Sequence, residues 1–306
     1  METAPPHRRT RADLIDPASL ASLGRIEIVA RWVVDGFLTG LHRSPRKGFS
    51  VEFADYRPYQ PGDDLRYIDW KIVARADRWM IKQFEEETNT RAVLVLDVSR
   101  SMDWSGDPAR LSKLRYAEQI VAAIALLLIR QRDAVGLIRY DDQLRTVLPA
   151  RARSIQWRRI VRALLEPGAG PDSRMADAVT QGAKLIRRPG LVILISDLLI
   201  DPDELERALR VARAAGHQVT VLHIIDPSER ELDVAGEAIF HDSESALEVV
   251  ATVADVREAY RATVADAIEE WRVRLSAIGA AYEVIPTDAP FGVPLRRAFA
   301  TRQRLL

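Results

Sequence analysis

From Thr90 onward, short apolar runs alternate with longer amphipathic stretches. The runs fall at 92–96, 134–138, 191–195 and 219–225. Between them, near 109–131, 154–166, 174–188 and 201–215, apolar residues recur with helical spacing. Strand-length runs separated by helices predict βα units on a mostly parallel sheet. Near-continuous runs such as Leu191-Val192-Ile193-Leu194-Ile195 predict burial on both faces. Leu144 to Leu148 predicts an antiparallel edge, and Gly216 a helix stop before a strand. Residues 226–243 read as a polar excursion, followed by a long helical stretch, Glu244 to Ile278, in one piece or two. Ala281 to Ile285 predicts a last strand, and Phe291 to Leu306 a terminal helix bearing Arg296, Arg297, Arg302 and Arg304.

The first ninety residues follow a different pattern. Met1 to Arg11 is polar, with two prolines and several basic residues, and predicts a disordered tail. Leu20, Leu23, Ile26, Val29, Val33, Phe37 and Leu41 space a helix from Pro17 to about His42. Residues 49–90 lack a helical period. Extended pieces at Phe49–Phe53 and Met80–Phe84 flank the turn-rich Pro58–Asp64, and a short helix is expected near Asp69 to Val73. The expected organisation is a tail (1–16), a helix with a small β-rich subdomain (17–89), a doubly wound α/β domain (90–290) and a terminal helix (291–306).

Composition narrows the function classes. The 306 residues hold 44 basic and 44 acidic side chains, so charge gives no bias toward nucleic acid or anionic membrane. There is no cysteine, which removes disulfides, thiolate metal sites and cysteine nucleophiles and fits a cytoplasmic location. The longest apolar run, Ile120 to Ile129, falls short of the ~20 residues a bilayer requires. No apolar signal region follows the polar N-terminus, so secretion is not expected.

The chemistry gathers at two strand ends. Ala92–Leu96 runs into Asp97-Val98-Ser99-Arg100-Ser101, which places a carboxylate and two hydroxyls at one tip. Leu194-Ile195-Ser196-Asp197 ends a second strand with a carboxylate. Gly170-Pro171-Asp172-Ser173 opens the helix between and offers a further hydroxyl, with Asp172 as a competing donor. Ligands in open α/β sheets sit at the carboxyl ends of strands. Hard oxygen donors suit Mg²⁺ or Mn²⁺, weakly held with a position left for a partner's carboxylate. Asp97, Ser99, Ser101, Ser173 and Asp197 are therefore the expected metal ligands. The plainer reading has both aspartates capping the following helices.

The Asp-x-Ser-x-Ser tip with its later hydroxyl and carboxylate resembles the metal-ion-dependent adhesion site of the von Willebrand factor A domain, over about residues 90–286. Ser173 stands where that family usually has Thr. A second resemblance lies upstream. Phe53-Ala54-Asp55-Tyr56-Arg57-Pro58-Tyr59-Gln60-Pro61-Gly62-Asp63-Asp64-Leu65-Arg66-Tyr67-Ile68-Asp69-Trp70 is similar to the signature of the bacterial DUF58 family. So are Ala74-Arg75, Lys82–Glu87 and Asp226-Pro227-Ser228-Glu229-Arg230-Glu231-Leu232. Members often carry membrane helices at the start, and none is expected here. The resemblance implies association with MoxR-type AAA+ ATPases in chaperone-like assembly or metal insertion.

Gly62, Asp63, Asp64, Arg66, Asp69 and Trp70 invite a second metal or hydrolytic reading, but no histidine or activated nucleophile accompanies them. They read as structural: Arg66 forked onto carboxylates, Gly62 at positive φ, Trp70 packed on the main domain. The five histidines show no ligand spacing, and His223 reads as a core residue. No phosphate-binding Gly-x-x-x-x-Gly-Lys-[Ser/Thr] occurs, so ATP binding is not expected. Arg151, Arg153, Arg158, Arg159 and Arg162 read as a solvated helix face. No catalytic base is evident beside Ser99 or Ser101. The sequence thus describes a non-enzymatic, Mg²⁺-dependent protein-binding module with no nucleic-acid partner and no membrane span. A metal-dependent hydrolase and a metal-free scaffold are the alternatives.

Overall fold

The structure is a computed structural model that describes residues 26–42, 56–60, 68, 70–76, 78–82, 90–168, 170, 173–233, 236–241 and 248–295. Two compact units divide the chain: 1–40 with 90–306, and 41–89.

In the smaller unit, β1 (Tyr56–Pro58) pairs antiparallel with β2 (Met80–Lys82), and α2 (Trp70–Ala76) lies between them in sequence. Tyr59 N–H donates to the Trp79 carbonyl at 2.9 Å. The Trp79 ring meets Tyr59 at 5.9 Å and Trp70 at 6.1 Å. Trp70 is 58% exposed, so its ring rests on Trp79 rather than in a core. Gly62, Asp63, Asp64, Arg66 and Asp69 lie outside the described residues.

The larger unit is built on one six-stranded sheet: β3 (Arg91–Asp97), β4 (Ala134–Tyr140), β5 (Leu144–Arg151), β6 (Leu191–Ser196), β7 (Gln218–Ile225) and β10 (Ala281–Pro286). Their order is β10-β7-β6-β3-β4-β5, with all pairs parallel except β4 with β5. This is the doubly wound, mostly parallel sheet expected from the apolar runs, and the antiparallel edge falls where Leu144 to Leu148 placed it. The chain grows from β3 toward β5, then returns to the far side of β3 with β6. The topological switch therefore lies between β3 and β6, where such sheets open a crevice at their carboxyl ends.

Alternation along β3 assigns its two faces. Val93 and Val95 join a core with Ile138, Tyr140, Val192 and Leu194, covered by α5 (Met175–Leu185), α6 (Pro202–Ala214) and the end of α8 (Val253–Ala277). Leu94 and Leu96 point the other way, toward α3 (Lys113–Arg130) and α4 (Ser154–Leu164). Trp157 of α4 donates to the Ala122 carbonyl of α3 at 3.1 Å. Arg31 of α1 (Ile26–His42) lies over the Trp157 ring at 5.3 Å, and Asp35 accepts from Arg130 at 2.5 Å. Gly216, at φ 83°, ends the turn after α6 as expected. Among the described residues no helix is long and apolar enough to cross a membrane.

One expectation gains detail and one needs correction. The polar excursion at 226–243 is ordered in part: α7 (Pro227–Glu231) follows β7 and β8 (Glu237–His241) follows that. The helix expected from Glu244 begins at Val253, because Glu248–Thr252 forms β9, paired antiparallel with β8. Val249, Val250 and Thr252 are β-branched and favour the strand. Of the starting helix only Ile26–His42 is described, and of the terminal helix only a turn at 292–295.

Leu94 is fully buried in the central strand. Leu94→Ala should lower unfolding free energy by about 2–5 kcal/mol, read as a shifted urea midpoint at unchanged slope.

Candidate functional site

Asp97 is the last residue of β3, and only 1% of it reaches solvent. Its Oδ1 accepts the Ser99 N–H at 2.9 Å, closing the turn. Its Oδ2 collects hydroxyls from neighbouring elements: Ser196 at 2.8 Å, Tyr140 at 3.2 Å and Ser173 at a long 3.4 Å. Ser99 Oγ and Ser101 Oγ lie 3.1 Å apart, both buried. Asp97 thus meets Ser99 through the Ser99 backbone N–H and Ser173 through the Ser173 hydroxyl, while Ser101 meets Ser99. Asp172 lies outside the described residues.

The loop bearing Ser173 is braced from the β4–β5 turn. Asp141 Oδ2 accepts the Gly170 N–H at 3.0 Å, and the Asp141 carbonyl accepts Arg174 N–H at 2.7 Å. The Gly170 carbonyl in turn accepts Arg100 N–H at 2.9 Å. A Cβ on Gly170 would stand 2.5 Å from Asp142 Oδ1 and 2.7 Å from Asp141 Cγ, so a side chain there would push the brace apart. Arg145 Nε holds Asp141 from the far side at 2.7 Å.

Asp197 is in a different situation from the helix cap that the plainer reading gave it. Its Oδ2 accepts from the ammonium of Lys113 at 2.8 Å, and α6 is capped by Asp201 instead. Lys113 is 1% exposed and opens α3, with Ser112 as N-cap. The same ammonium forms a short contact with Glu229 Oε1. The other Glu229 oxygen accepts the Asp226 N–H at 3.0 Å, within a capping box that starts α7. Trp104 covers the group from outside: its ring centroid is 6.0 Å from the ammonium, and its carbonyl accepts Lys113 N–H at 3.1 Å.

The electrostatics follow from burial. Burial, then the nearby Asp197 charge, push the Asp97 carboxyl up to about 6, against the hydrogen bonds from Ser99 and Ser196. Burial raises Glu229 as well. Burial also works against the Lys113 ammonium, yet the Asp197 and Glu229 carboxylates outweigh it and the net shift is upward. His223 is a buried core residue as expected, with Nδ1 2.7 Å from the Tyr282 hydroxyl, and burial pushes it down to about 4.

Sequence reasoning missed Tyr140, Ser196, Asp141, Lys113 and Glu229. One local signal existed for Lys113: a basic residue at the first position of a helix, where the dipole favours acids. Among the described residues no three Asp, Glu, His or Cys side chains converge as a metal-holding group. Any cation here would have to rest largely on hydroxyls. The arrangement fits that demand: Asp97 Oδ2 already draws in hydroxyls, two further hydroxyls stand paired, and two carboxylates repel across the tip. Neither Ser99 nor Ser101 is hydrogen-bonded to a histidine or lysine among the described residues.

A family model described as "Protein of unknown function DUF58" matches residues 55–270. The chain belongs to the DUF58 family. Similar relatives are the uncharacterized protein Mb1516 of Mycobacterium bovis and the uncharacterized protein Rv1480 of Mycobacterium tuberculosis. Each is 31% identical over 243 residues, covering 78% of this chain and 75% of the relative. Among solved structures, this DUF58 chain is similar to the conserved hypothetical protein BatB from Bacteroides thetaiotaomicron. That match has TM-score 0.44 and 14% identity over 70% of this chain and 99% of that one. The SpRpn10 VWA domain matches with TM-score 0.44 and 11% identity, over 68% and 94% of the two chains.

The raised Asp97 carboxyl gives a signed expectation. A carboxyl raised from 3.8 to about 6 supports folding below pH 3.8, and that support is lost as pH rises through 6. Asp97→Asn cannot ionise. With divalent cations chelated, it should match wild type near pH 4 and exceed it above pH 7 by roughly 3 kcal/mol. His223 acts oppositely in the same window, since a lowered histidine destabilises the fold as pH falls. The difference between the two stability curves, taken by denaturant titration at each pH, is therefore the test.

Proposed function

We propose that this DUF58 chain is a cytoplasmic, divalent-cation-dependent protein-binding module that works with a MoxR-type AAA+ ATPase in chaperone-like assembly or metal insertion. The observation that carries the reading is the convergence on Asp97 Oδ2 of hydroxyls from β4, β6 and the Ser173 loop. The von Willebrand A-like sheet supports the coarser statement, a protein-interaction module. The partner class follows from the family resemblance.

Asp97, Ser99, Ser101 and Ser173 would hold the cation, with Asp197 completing the shell. Mg²⁺ or Mn²⁺, when bound, supplies a positive centre with a replaceable water position for a partner's carboxylate. The chain's own part is preparation. The Ser99 N–H pins one oxygen of Asp97 and leaves the other for the hydroxyl cluster. The Asp141–Gly170–Arg100 brace fixes the Ser173 loop against the Asp97 turn. We read the chemistry of this arrangement as recognition rather than hydrolysis.

Titration calorimetry should find one weakly held Mg²⁺ or Mn²⁺ per chain and none in Asp97→Ala. Capture of a MoxR-type ATPase should fall at least about tenfold in EDTA. Asp97→Ala should do the same, and the two together no more than either alone, since both remove one contact. Equal cation affinity in Asp97→Ala and wild type would refute the site. Capture unchanged by EDTA would move the partner to another surface.

A further inference from the structure

Lys113 is a buried ammonium held between two carboxylates, on elements far apart in sequence. Asp197 follows β6, and Glu229 lies in α7. Its placement runs against two general preferences. Lysines are almost never fully buried unless paired. The N-terminal turn of a helix disfavours a cation, yet Lys113 is the first residue of α3. The flanking structure is built to hold it. Ser112 caps the helix, accepting the Arg115 N–H at 3.3 Å. Trp104 lies over the ammonium, and Asp226 N–H fixes the second oxygen of Glu229.

We propose that Lys113 is a positioning and affinity-setting residue for the cation site, an internal positive charge that holds Asp197 in place and keeps divalent-cation affinity low. The inference rests on the cation reading above. The argument is electrostatic. Asp197 is the carboxylate whose charge reaches Asp97 across the tip. With Lys113 bonded to it at 2.8 Å, much of that charge is already neutralised. An incoming divalent cation meets a weaker field and, in addition, the repulsion of a fixed ammonium a few bond lengths beyond the carboxylate. In a site shielded from water such charges interact far more strongly than at a surface. Glu229 moderates the effect by sharing the ammonium.

The test compares wild type, Lys113→Met and Glu229→Gln by Mg²⁺ and Mn²⁺ titration calorimetry, and by melting temperature in EDTA and in Mg²⁺. Met keeps the length of the side chain and removes its charge. Lys113→Met should bind the cation about tenfold or more tightly than wild type. Its melting temperature should fall in EDTA, where two buried carboxylates lose their partner, and recover in Mg²⁺ by more than wild type gains. A purely packing role for Lys113 would lower stability equally in both conditions. Glu229→Gln gives the whole ammonium to Asp197, and should bind the cation several-fold more weakly than wild type, at about the limit set by one removed charge. If Lys113→Met does not fold in EDTA, folding on addition of Mg²⁺ supports the proposal, and failure to fold in either leaves Glu229→Gln to decide it. Wild-type binding with Lys113→Met or Glu229→Gln unchanged, or shifted in the opposite direction, overturns the role of Lys113 alone. No cation binding by any of the three overturns the cation reading and this inference with it, and leaves the ammonium as the permanent occupant of the tip.

Discussion

Everything at the carboxyl end of the sheet answers one constraint: a carboxylate sits at the end of a strand that is buried on both faces. A buried charge is unfavourable unless bonded or paired. Asp97 meets that demand with hydroxyls and a backbone N–H rather than with a cation of its own. Asp197 and Glu229 meet it with Lys113. Within this group Asp197 and Glu229 share the single ammonium and Asp97 has none, and burial with the Asp197 charge raises the Asp97 carboxyl to about 6. A divalent cation is what such a deficit would accommodate.

The constraint extends outward through hydrogen bonds that do no more than hold oxygens in position. The Val98 N–H continues the β3–β4 ladder onto the Tyr140 carbonyl at 2.8 Å, so the turn after Asp97 leaves the sheet in one direction. Asp141, the residue after β4, then anchors Gly170 and Arg174 on either side of Ser173. On the other flank Arg110 donates to Ser228 at 2.8 Å, tying the loop after the Asp-x-Ser-x-Ser turn to α7. The tip is thus assembled from β3, β4, β6, the start of α3 and α7, and a shift in one changes the bonds of the next.

The larger sheet was legible because a strand buried on both faces must be apolar at nearly every position, and few surface elements produce such a run. The candidate site could be named from the sequence because Asp97, Ser99 and Ser101 fall within five residues at a strand end, Asp197 follows a second strand and Ser173 precedes a helix. What remained hidden was of two kinds. The β8–β9 hairpin was lost because Glu248–Thr252 runs straight into α8, and apolar periodicity alone does not mark where one becomes the other. Lys113, Tyr140, Asp141 and Glu229 were missed because their roles depend on contacts across 84, 43, 29 and 116 residues of chain. Ser196 stands in view beside Asp197, but strand alternation sends neighbouring side chains to opposite faces, and the strand-end carboxylate is the stronger signal. The Asp-Pro-Ser-Glu-Arg-Glu segment reads in the sequence as part of a family signature without a role. The structure gives its first glutamate one: Glu229 caps α7 with one oxygen and holds Lys113 with the other.

The internal ammonium also bears on what kind of cation site this can be. Where a metal supplies the only compensation for its ligands, its binding energy becomes folding energy, and removing it unfolds the site. Here Asp197 and Glu229 are already paired, and Asp97 can take a proton or rest on hydroxyls. On the proposed reading, the charges of the tip are compensated by the chain itself, so a cation bound there could come and go without unfolding the strand ends. A structural metal needs the first arrangement. A module that engages and releases an acidic partner is better served by the second, because the free energy of cation binding is then available to the contact instead of being consumed in folding.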